Sequence, residues 1–303
     1  MTKPAYGGQA VIEGVMMRGQ REMAVAVREP SGNIIVHAET LKGFVYESKW
    51  AKVPFVRGVF MLWDTLVLGV RTLMFSASVA AEEQEVEMKP QVLWGTMISA
   101  LVFAVLLFFV LPVVLTGAID QFISSPLVSN IVEKVIRLTI LIGYIGGVGM
   151  IPDIRRVFAY HGAEHKTINA YEDGAPLEVS TVSKYSTSHP RCGTSFLLII
   201  VVISFLFFML LGRPSMEVRI ASRIVLVPVV AAVAYELIKF GGAHYHNPLV
   251  KALLAPGLAL QALTTREPAP DQLEVAIAAL KRVLATDQEN APAGPVVEEI
   301  PVR

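Results

Sequence analysis

No charged residue occurs between Lys89 and Asp120, so one long segment of this chain is entirely uncharged and mostly apolar. A run of about 20 apolar residues is long enough to cross the hydrocarbon core of a bilayer as a helix. The composition agrees, because 53% of the residues are hydrophobic and only 17% are charged, against about 25% in soluble domains. We therefore expect a mainly α-helical protein embedded in a lipid bilayer.

Three further segments are candidates for membrane spans. The uncharged segment from Cys192 to Gly212 is the clearest of them. Segments 131–151 and 218–240 carry charged residues near their ends. Long basic side chains at the end of a helix can reach the interface, so both segments can still cross the membrane. The sequence thus predicts about four transmembrane helices.

The distribution of basic residues predicts how these helices are oriented. Residues 1–91 contain ten Lys and Arg and residues 152–193 contain five, whereas residues 117–130 contain none. Cytoplasmic loops carry the excess of Lys and Arg, so both termini and the 152–193 connection are expected in the cytoplasm. The N-terminus lacks a basic start followed by an apolar core, so no signal peptide is predicted. The single cysteine excludes an intrachain disulfide.

Composition divides the chain into four regions. Residues 1–53 are expected to form a small cytoplasmic β-rich region, because two strand-like runs flank a Pro-Ser-Gly-Asn turn signal. Residues 54–91 are expected to form an interfacial helix and an acidic linker. Residues 92–255 would form the four-helix transmembrane domain, including the His-rich cytoplasmic connection 152–193. Residues 256–303 would form a cytoplasmic tail, helical at first and then Pro-rich and disordered.

The helix predicted after residue 54 has an ambiguous pattern. Its charged residues Arg57, Asp64 and Arg71 are spaced by seven, so they form one polar stripe on an otherwise apolar helix. Such a helix is typical of the membrane interface or of the underside of a bundle. A fifth span at this place would move the ten-cation N-terminal region outside the cell. We therefore predict an interfacial helix.

The segment His161-Gly162-Ala163-Glu164-His165 carries the strongest chemical signal. Residues three or four apart lie on one face of a helix, so both imidazoles and the carboxylate would face the same side. The order His-x-x-Glu-His is that of the inverted zinc-peptidase motif. It predicts a zinc ion, or another divalent transition metal, bound by His161 and His165. Glu164 would be the general base that takes a proton from water.

A catalytic zinc site has three protein ligands and an open position, so a third ligand is needed. Glu236, His189 and Cys192 are all candidates, because each falls at the predicted cytoplasmic end of a span. The alternative to a metal site is a polar helix face that meets lipid headgroups. A pentapeptide with three fixed positions arises by chance in many proteins.

The glycine-rich segment Gly7–Gly19 matches neither a phosphate loop nor a dinucleotide-binding pattern. It is interpreted either as a tight β turn or as a loop that places Glu13 and Arg18 over the cytoplasmic site. Arg191, between His189 and Cys192, is a third candidate for lining that site.

Several motifs together resemble the YqhQ-type family of bacterial membrane proteins. They are Gly7–Gly19, Tyr160–Lys166, His189–Phe196 and Leu263–Pro268. The resemblance covers nearly the whole chain. It implies a bacterial membrane protein and a metal-dependent enzyme, and it indicates no substrate. From the predicted spans and their orientation we expect a multi-pass protein of the inner (plasma) membrane.

The leading hypothesis is thus a metal-dependent membrane enzyme, a hydrolase with its site at the cytoplasmic surface, acting on a membrane protein or a lipid. The alternative is a non-catalytic protein that binds a partner protein, a nascent chain or a lipid, with a structural metal or none. A transporter ranks last, because the clear spans lack ionisable residues at their centres. A homo-oligomer fits either hypothesis, and no nucleic-acid partner is expected.

Overall fold

The computed structural model describes residues 6–81, 90–210, 216–289 and 296–300. The strands are β1 Gly7–Val11, β2 Gly14–Arg18, β3 Glu22–Arg28, β4 Ile34–Thr40 and β5 Val296–Ile300. The first six helices are α1 Phe44–Glu47, α2 Val56–Ala81, α3 Pro90–Val105, α4 Leu111–Ile119, α5 Pro126–Val148 and α6 Pro152–Asp173. The others are α7 Val179–Val182, α8 Gly193–Leu210, α9 Met216–Ala243, α10 Pro248–Gln261 and α11 Pro270–Glu289. A π-helical turn, Leu106–Val110, joins α3 to α4.

One antiparallel sheet with the strand order β1-β2-β3-β4-β5 contains every described strand. The predicted N-terminal β unit is confirmed, and the β3–β4 hairpin pairs Arg28 with Ile34. Its turn needs a left-handed residue, which Gly32 provides with φ 97. The β1–β2 turn places Glu13 in the same region, with φ 51. The four N-terminal strands thus form a meander joined by short turns.

The outer strand β5 comes from the other end of the chain. Residues Val296–Ile300 pair antiparallel with β4, with Ile300 opposite Ile34. This strand falls within the end that composition predicted to be disordered. The other residues of that end, 290–295 and 301–303, and the predicted acidic linker Glu82–Glu87 lie outside the described residues.

The sheet is covered on both faces, because successive side chains of a strand point to opposite sides. On β2, Val15 and Met17 belong to one buried cluster and Met16 to the other. The first cluster is completed by α6 and α11, and the second by α2. We call the sheet together with α6 and α11 the sheet domain. Helix α11 forms part of its core, with Leu280 fully buried.

Three described helical stretches are long and apolar enough to cross a membrane: Val56–Ala80, Trp94–Phe122 and Val225–Ala243. A fourth is counted if the bent pair of α5 and α6 is taken as one span. The chain therefore has the apolar helices of a membrane protein, in about the predicted number. The segment predicted as the second clear span is represented by a shorter apolar helix, Gly193–Phe207, and residues 211–215 are not described.

Helix α2 meets the length and hydropathy of a span although we predicted an interfacial helix. Leu68 at its middle and Val79 near its C-terminus belong to the cluster under the sheet. Its N-terminal end packs closely on α9, where a Cβ on Gly58 would lie 2.9 Å from Ala232 Cα. One part of its apolar surface thus packs on the sheet, and another part packs on α9, which is itself long and apolar enough to cross a membrane.

A bend of 101° between α5 and α6 carries the chain from the apolar helices to the sheet. Pro152 begins α6 and cannot continue the hydrogen bonding of α5, so the helix breaks there. Beyond the bend, α6 buries Tyr160, Ala163 and Ile168 in the core of the sheet domain. It ends at Gly174, whose left-handed φ of 79 caps the helix. The bend thereby sets the His-x-x-Glu-His segment against the sheet.

Candidate metal centre

Side chains from α6 and from the residue preceding α8 meet in one buried cluster. The ligand atoms of His161, His165 and Cys192 all lie within 4.8 Å of one another. The two imidazoles are one helical turn apart, with ring centroids 4.4 Å apart. Cys192 Sγ lies 3.2 Å from His161 Nε2. Of the three third-ligand candidates, the structure thus brings Cys192 to the histidine pair.

Backbone carbonyls fix the orientation of both imidazoles. His161 Nδ1 lies 2.9 Å from the Thr264 oxygen, and His165 Nδ1 lies 2.7 Å from the Thr187 oxygen. A carbonyl only accepts hydrogen bonds, so each Nδ1 carries the proton and each Nε2 presents its lone pair. Histidines that bind metals are held in the same way by an outer hydrogen-bond acceptor.

The separation of the donor atoms also suits a metal ion. A nitrogen and a sulfur bound to one tetrahedral zinc ion lie about 3.6 Å apart, which is close to the 3.2 Å between His161 Nε2 and Cys192 Sγ. His165 is only 1% exposed and Cys192 only 6% exposed. Two imidazoles and a thiol in a shielded site form the donor set that zinc prefers over magnesium or calcium.

The loop after α10 supplies one of these carbonyls and packs tightly on α6. A Cβ on Gly162 would lie 2.1 Å from the Arg266 oxygen, so only glycine fits there. Arg266 N also donates to the Phe158 oxygen at 2.9 Å. Gly162, between the two histidines, therefore lets the loop bring the Thr264 carbonyl to His161.

Glu164 lies beside the cluster and faces strand β1. Its side chain is buried, and its carboxylate accepts a hydrogen bond from the Gly8 N–H. Burial raises the pKa of this carboxyl to about 7, although His161 and the Gly8 hydrogen bond act in the opposite direction. A Cβ on Gly8 would lie 2.4 Å from the Met16 oxygen and 3.0 Å from Glu164 Cγ. The glycine-rich segment thus contributes a backbone donor to the site, which the sequence patterns did not predict.

His189 lies next to the cluster but outside it. Its ring centroid is 5.8 Å from that of His165, and its Nε2 is 3.4 Å from Glu172 Oε2. Arg191, a predicted lining residue, donates to the other oxygen of Glu172. Burial alone would raise the pKa of Glu172, but the hydrogen bonds from His189 and Arg191 outweigh it and lower that pKa to about 2. Glu172 of α6 thus forms an ion pair with Arg191 and a hydrogen bond with His189, and both contacts support the Cys192 turn.

Gln261 is a further supporting residue that sequence reasoning missed. It is fully buried at the end of α10, and its amide contacts the His189 backbone twice. The His189 N–H donates to Gln261 Oε1 at 2.8 Å, and Gln261 Nε2 donates to the His189 oxygen at 3.0 Å. The turn that carries Cys192 is therefore fixed to α10.

The structure does not bring Glu236 to the cluster. Its carboxylate accepts hydrogen bonds from the Arg57 guanidinium and from the Phe55 N–H, at the contact of α2 with α9. The prediction of Glu236 as third ligand is not met by this geometry, because both carboxylate oxygens are bound to Arg57. The prediction rested only on Glu236 lying near the predicted cytoplasmic end of a span. Such a position does not distinguish a metal ligand from a residue of an ion pair.

The other two predicted lining residues lie apart from each other. Glu13 pairs with Arg156 in the second turn of α6 and accepts a hydrogen bond from the Tyr160 hydroxyl at 3.3 Å. Arg18 pairs instead with Asp64 of α2 at 2.9 Å. Glu13 thus borders the helix that carries the motif, whereas Arg18 joins the sheet to α2.

Comparisons with known proteins agree on one family. The family described as "Protein of unknown function (DUF1385)" matches residues 53–286. The Bacillus subtilis (strain 168) protein named "Uncharacterized protein YqhQ" is 33% identical over 294 residues, covering 93% of this chain and 92% of that protein. No solved structure matches the chain. The match over most of both chains shows that this protein belongs to the YqhQ-type, DUF1385 family.

Proposed function

We propose that this protein is a metal-dependent membrane enzyme, and that His161, His165 and Cys192 hold a zinc ion or another divalent transition metal. The main support is the pair of hydrogen bonds from the Nδ1 atoms to backbone carbonyls, which leaves both Nε2 lone pairs for a metal. The ligand atoms of these three residues also lie within 4.8 Å of one another. Three protein ligands also leave a coordination position for a substrate or water, as in catalytic zinc sites.

Hydrolysis is the reaction class that these residues support best. A zinc ion in this site would supply Lewis acidity, activating water and polarising a carbonyl or phosphoryl group. Glu164 follows His161 by three residues on the same helix and is held by the Gly8 N–H. We propose that it accepts the proton of the attacking water. The cleaved bond is a peptide, ester or phosphoester in a membrane protein or a lipid.

Replacing Glu164 with glutamine tests this role. The amide is nearly isosteric but cannot accept the proton, so Glu164→Gln should retain metal and lose about 10²–10⁴-fold of the hydrolysis rate. The measurement compares metal-loaded and chelated protein on a peptide, a carboxylic ester and a phosphodiester, each with a chromogenic leaving group. Glu178→Gln is the matched control, because Glu178 is exposed.

Two outcomes would count against the catalytic proposal. Equal rates for the wild type and Glu164→Gln on all three substrates would leave no role for a general base. Loss of metal from Glu164→Gln would make this residue a ligand or a brace for the ligands.

A non-catalytic protein with a structural metal is the second candidate, and the position of His189 favours it. The ring of His189 lies 5.8 Å from that of His165, so a rotation away from Glu172 would make it a fourth ligand and close the site. Structural zinc sites have four protein ligands. Loss of metal from His189→Ala would support this candidate, whereas retained metal would support the open site.

For the membrane topology, we propose four spans formed by α3 with α4, α5, α8 and α9, with α2 at the cytoplasmic interface. The burial of Leu68 and Val79 under the sheet supports this position of α2, since a sheet cannot be covered from within lipid. The Lys and Arg counts support cytoplasmic termini and a cytoplasmic sheet domain. The membrane would be the inner (plasma) membrane.

Reporter fusions at Ser125 and Gly174 should lie on opposite sides of the membrane. Ser125 lies between α4 and α5, and Gly174 lies after α6, so one span separates them. A reporter that is active only in the cytoplasm should be active at Gly174 and inactive at Ser125. A fusion at Lys184 is the control and should behave like that at Gly174. Equal activity at Ser125 and Gly174 would contradict the topology.

A further inference from the structure

An open cavity of about 330 Å³ lies at the bend between α5 and α6. Its walls are Met150, Pro152, Arg155, Arg156, Ala159 and Gln272. Two adjacent arginines thus line one concave surface at the N-terminal end of α6. The cavity is separate from the His161, His165 and Cys192 cluster, and no part of the proposed function uses it.

The two arginines differ in how their charge is balanced. Arg156 is paired with Glu13 and lies 3.6 Å from Asp271. For the exposed Arg155, by contrast, no ion pair or side-chain hydrogen bond is found within the part of the chain that the structure describes. Asp153 is exposed and two positions away, and residues two apart on a helix do not face each other. Among the described residues, Arg155 is therefore the guanidinium of the cavity wall that has no ion-pair partner.

Hydrogen bonds hold the wall of the cavity that is formed by Gln272. Gln272 Nε2 donates to the Arg156 oxygen at 3.3 Å, and its Oε1 accepts from the Ala269 N–H at 3.0 Å. Ala159, which is 8% exposed, lines the cavity with a single methyl group. The cavity is thus bounded by helix α6 and by the beginning of α11, both part of the packed sheet domain.

The position of the cavity relates it to the membrane surface. Met150 is 82% exposed and Ile151 is 49% exposed, and both lie in the short connection between the apolar helix α5 and helix α6. Exposed apolar side chains next to arginines at the end of an apolar helix are typical of the headgroup level of a bilayer. A ligand in the cavity would be anionic where it meets Arg155 and could be apolar where it meets Met150.

We propose that this cavity binds a phosphate group, either of an anionic lipid headgroup or as free phosphate. Arginine binds phosphate through paired, charge-assisted hydrogen bonds, and its planar guanidinium matches phosphate geometry. The volume accommodates a phosphate with a glycerol attached. Arg155 is the residue that binds the anion, and Arg156, neutralised by Glu13, lines the wall.

Binding to the purified full-length protein in a non-ionic detergent tests the proposal. The probes are dihexanoylphosphatidylglycerol, inorganic phosphate and dihexanoylglycerol, which has no phosphate, each titrated by calorimetry. The wild type should bind at least one phosphate-containing probe and should not bind dihexanoylglycerol. Arg155→Ala should weaken that binding at least about tenfold, because a charge-assisted contact is lost.

Arg21→Ala is the matched control, because Arg21 is an exposed arginine on the sheet domain, and it should bind like the wild type. Arg155→Lys keeps the charge and should bind more tightly than Arg155→Ala. Tighter binding of the lipid than of inorganic phosphate would identify a headgroup site, and equal affinities would identify a free-phosphate site. Failure of both phosphate probes to bind, unchanged binding in Arg155→Ala, or equal binding of dihexanoylglycerol would overturn the proposal.

Discussion

Replacing His161, His165 or Cys192 with alanine should lower the zinc affinity of this protein at least about 100-fold. Removing even an outer hydrogen-bond partner of a zinc ligand typically costs about 10–100-fold, and each of these residues would contact the ion itself. Among the described His, Cys, Asp and Glu residues, these three form the group whose ligand atoms lie within 4.8 Å of one another. Zinc affinity is measured by competition with a chromogenic chelator.

His244→Ala is the matched control for these three variants. His244 is exposed at the end of α9, and its Nδ1 lies 2.9 Å from the Phe240 oxygen. This variant should bind zinc like the wild type. If the loss of zinc in His244→Ala equalled that in His161→Ala, the metal would be bound by scattered surface histidines instead of this cluster.

Replacing Leu280 with alanine should destabilise the sheet domain by about 2–5 kcal/mol, as is typical when a buried leucine is truncated. Leu280 is 0% exposed and lies among residues of the sheet and of α6. Hydrogen exchange of the β2 and β3 amides should therefore become faster by a corresponding factor, because these strands open together with their core.

Lys281→Ala is the control for this prediction, since Lys281 is the exposed neighbour of Leu280 on the same helix. Substitutions at such surface positions usually change stability by less than about 0.5 kcal/mol. Unchanged exchange of β2 and β3 in Leu280→Ala would mean that α11 is not packed on the sheet in solution.

Local patterns were enough to predict the elements that are formed by neighbours in the sequence. The β3–β4 hairpin follows from two alternating runs and the turn at Gly32. The His161 and His165 pair follows from helical spacing alone, because residues four apart always lie on one face. Both predictions needed only the geometry of a single hairpin or a single helix.

Contacts between distant segments could not be predicted in this way. Strand β5 pairs with β4 across more than 250 residues of sequence, and nothing in Val296–Ile300 specifies its partner. The choice among Glu236, His189 and Cys192 depended on how α8, α9 and α10 pack together. Thr264 and Gly8 contribute backbone atoms, which residue type does not reveal.

Helix α2 was ambiguous for a different reason. A helix that covers an apolar sheet and a helix that crosses lipid both need an apolar surface, so hydropathy alone does not distinguish them. Three charged residues spaced by seven suggested an interface, and all three have partners within the protein. Arg57 pairs with Glu236, Asp64 with Arg18, and Arg71 with Glu39 at 3.9 Å. The polar stripe thus marks contacts within the protein.

X-ray absorption at the zinc edge of the zinc-loaded protein tests the central proposal most directly, because it identifies the ligand atoms without an assay of activity. We predict one zinc per chain, with nitrogen ligands at about 2.0–2.1 Å and one sulfur ligand at about 2.3 Å. Cys192 is the single cysteine of the chain, so Cys192→Ser should remove the sulfur signal. A protein that takes up no divalent metal, or a zinc site without sulfur in the wild type, would contradict the assignment.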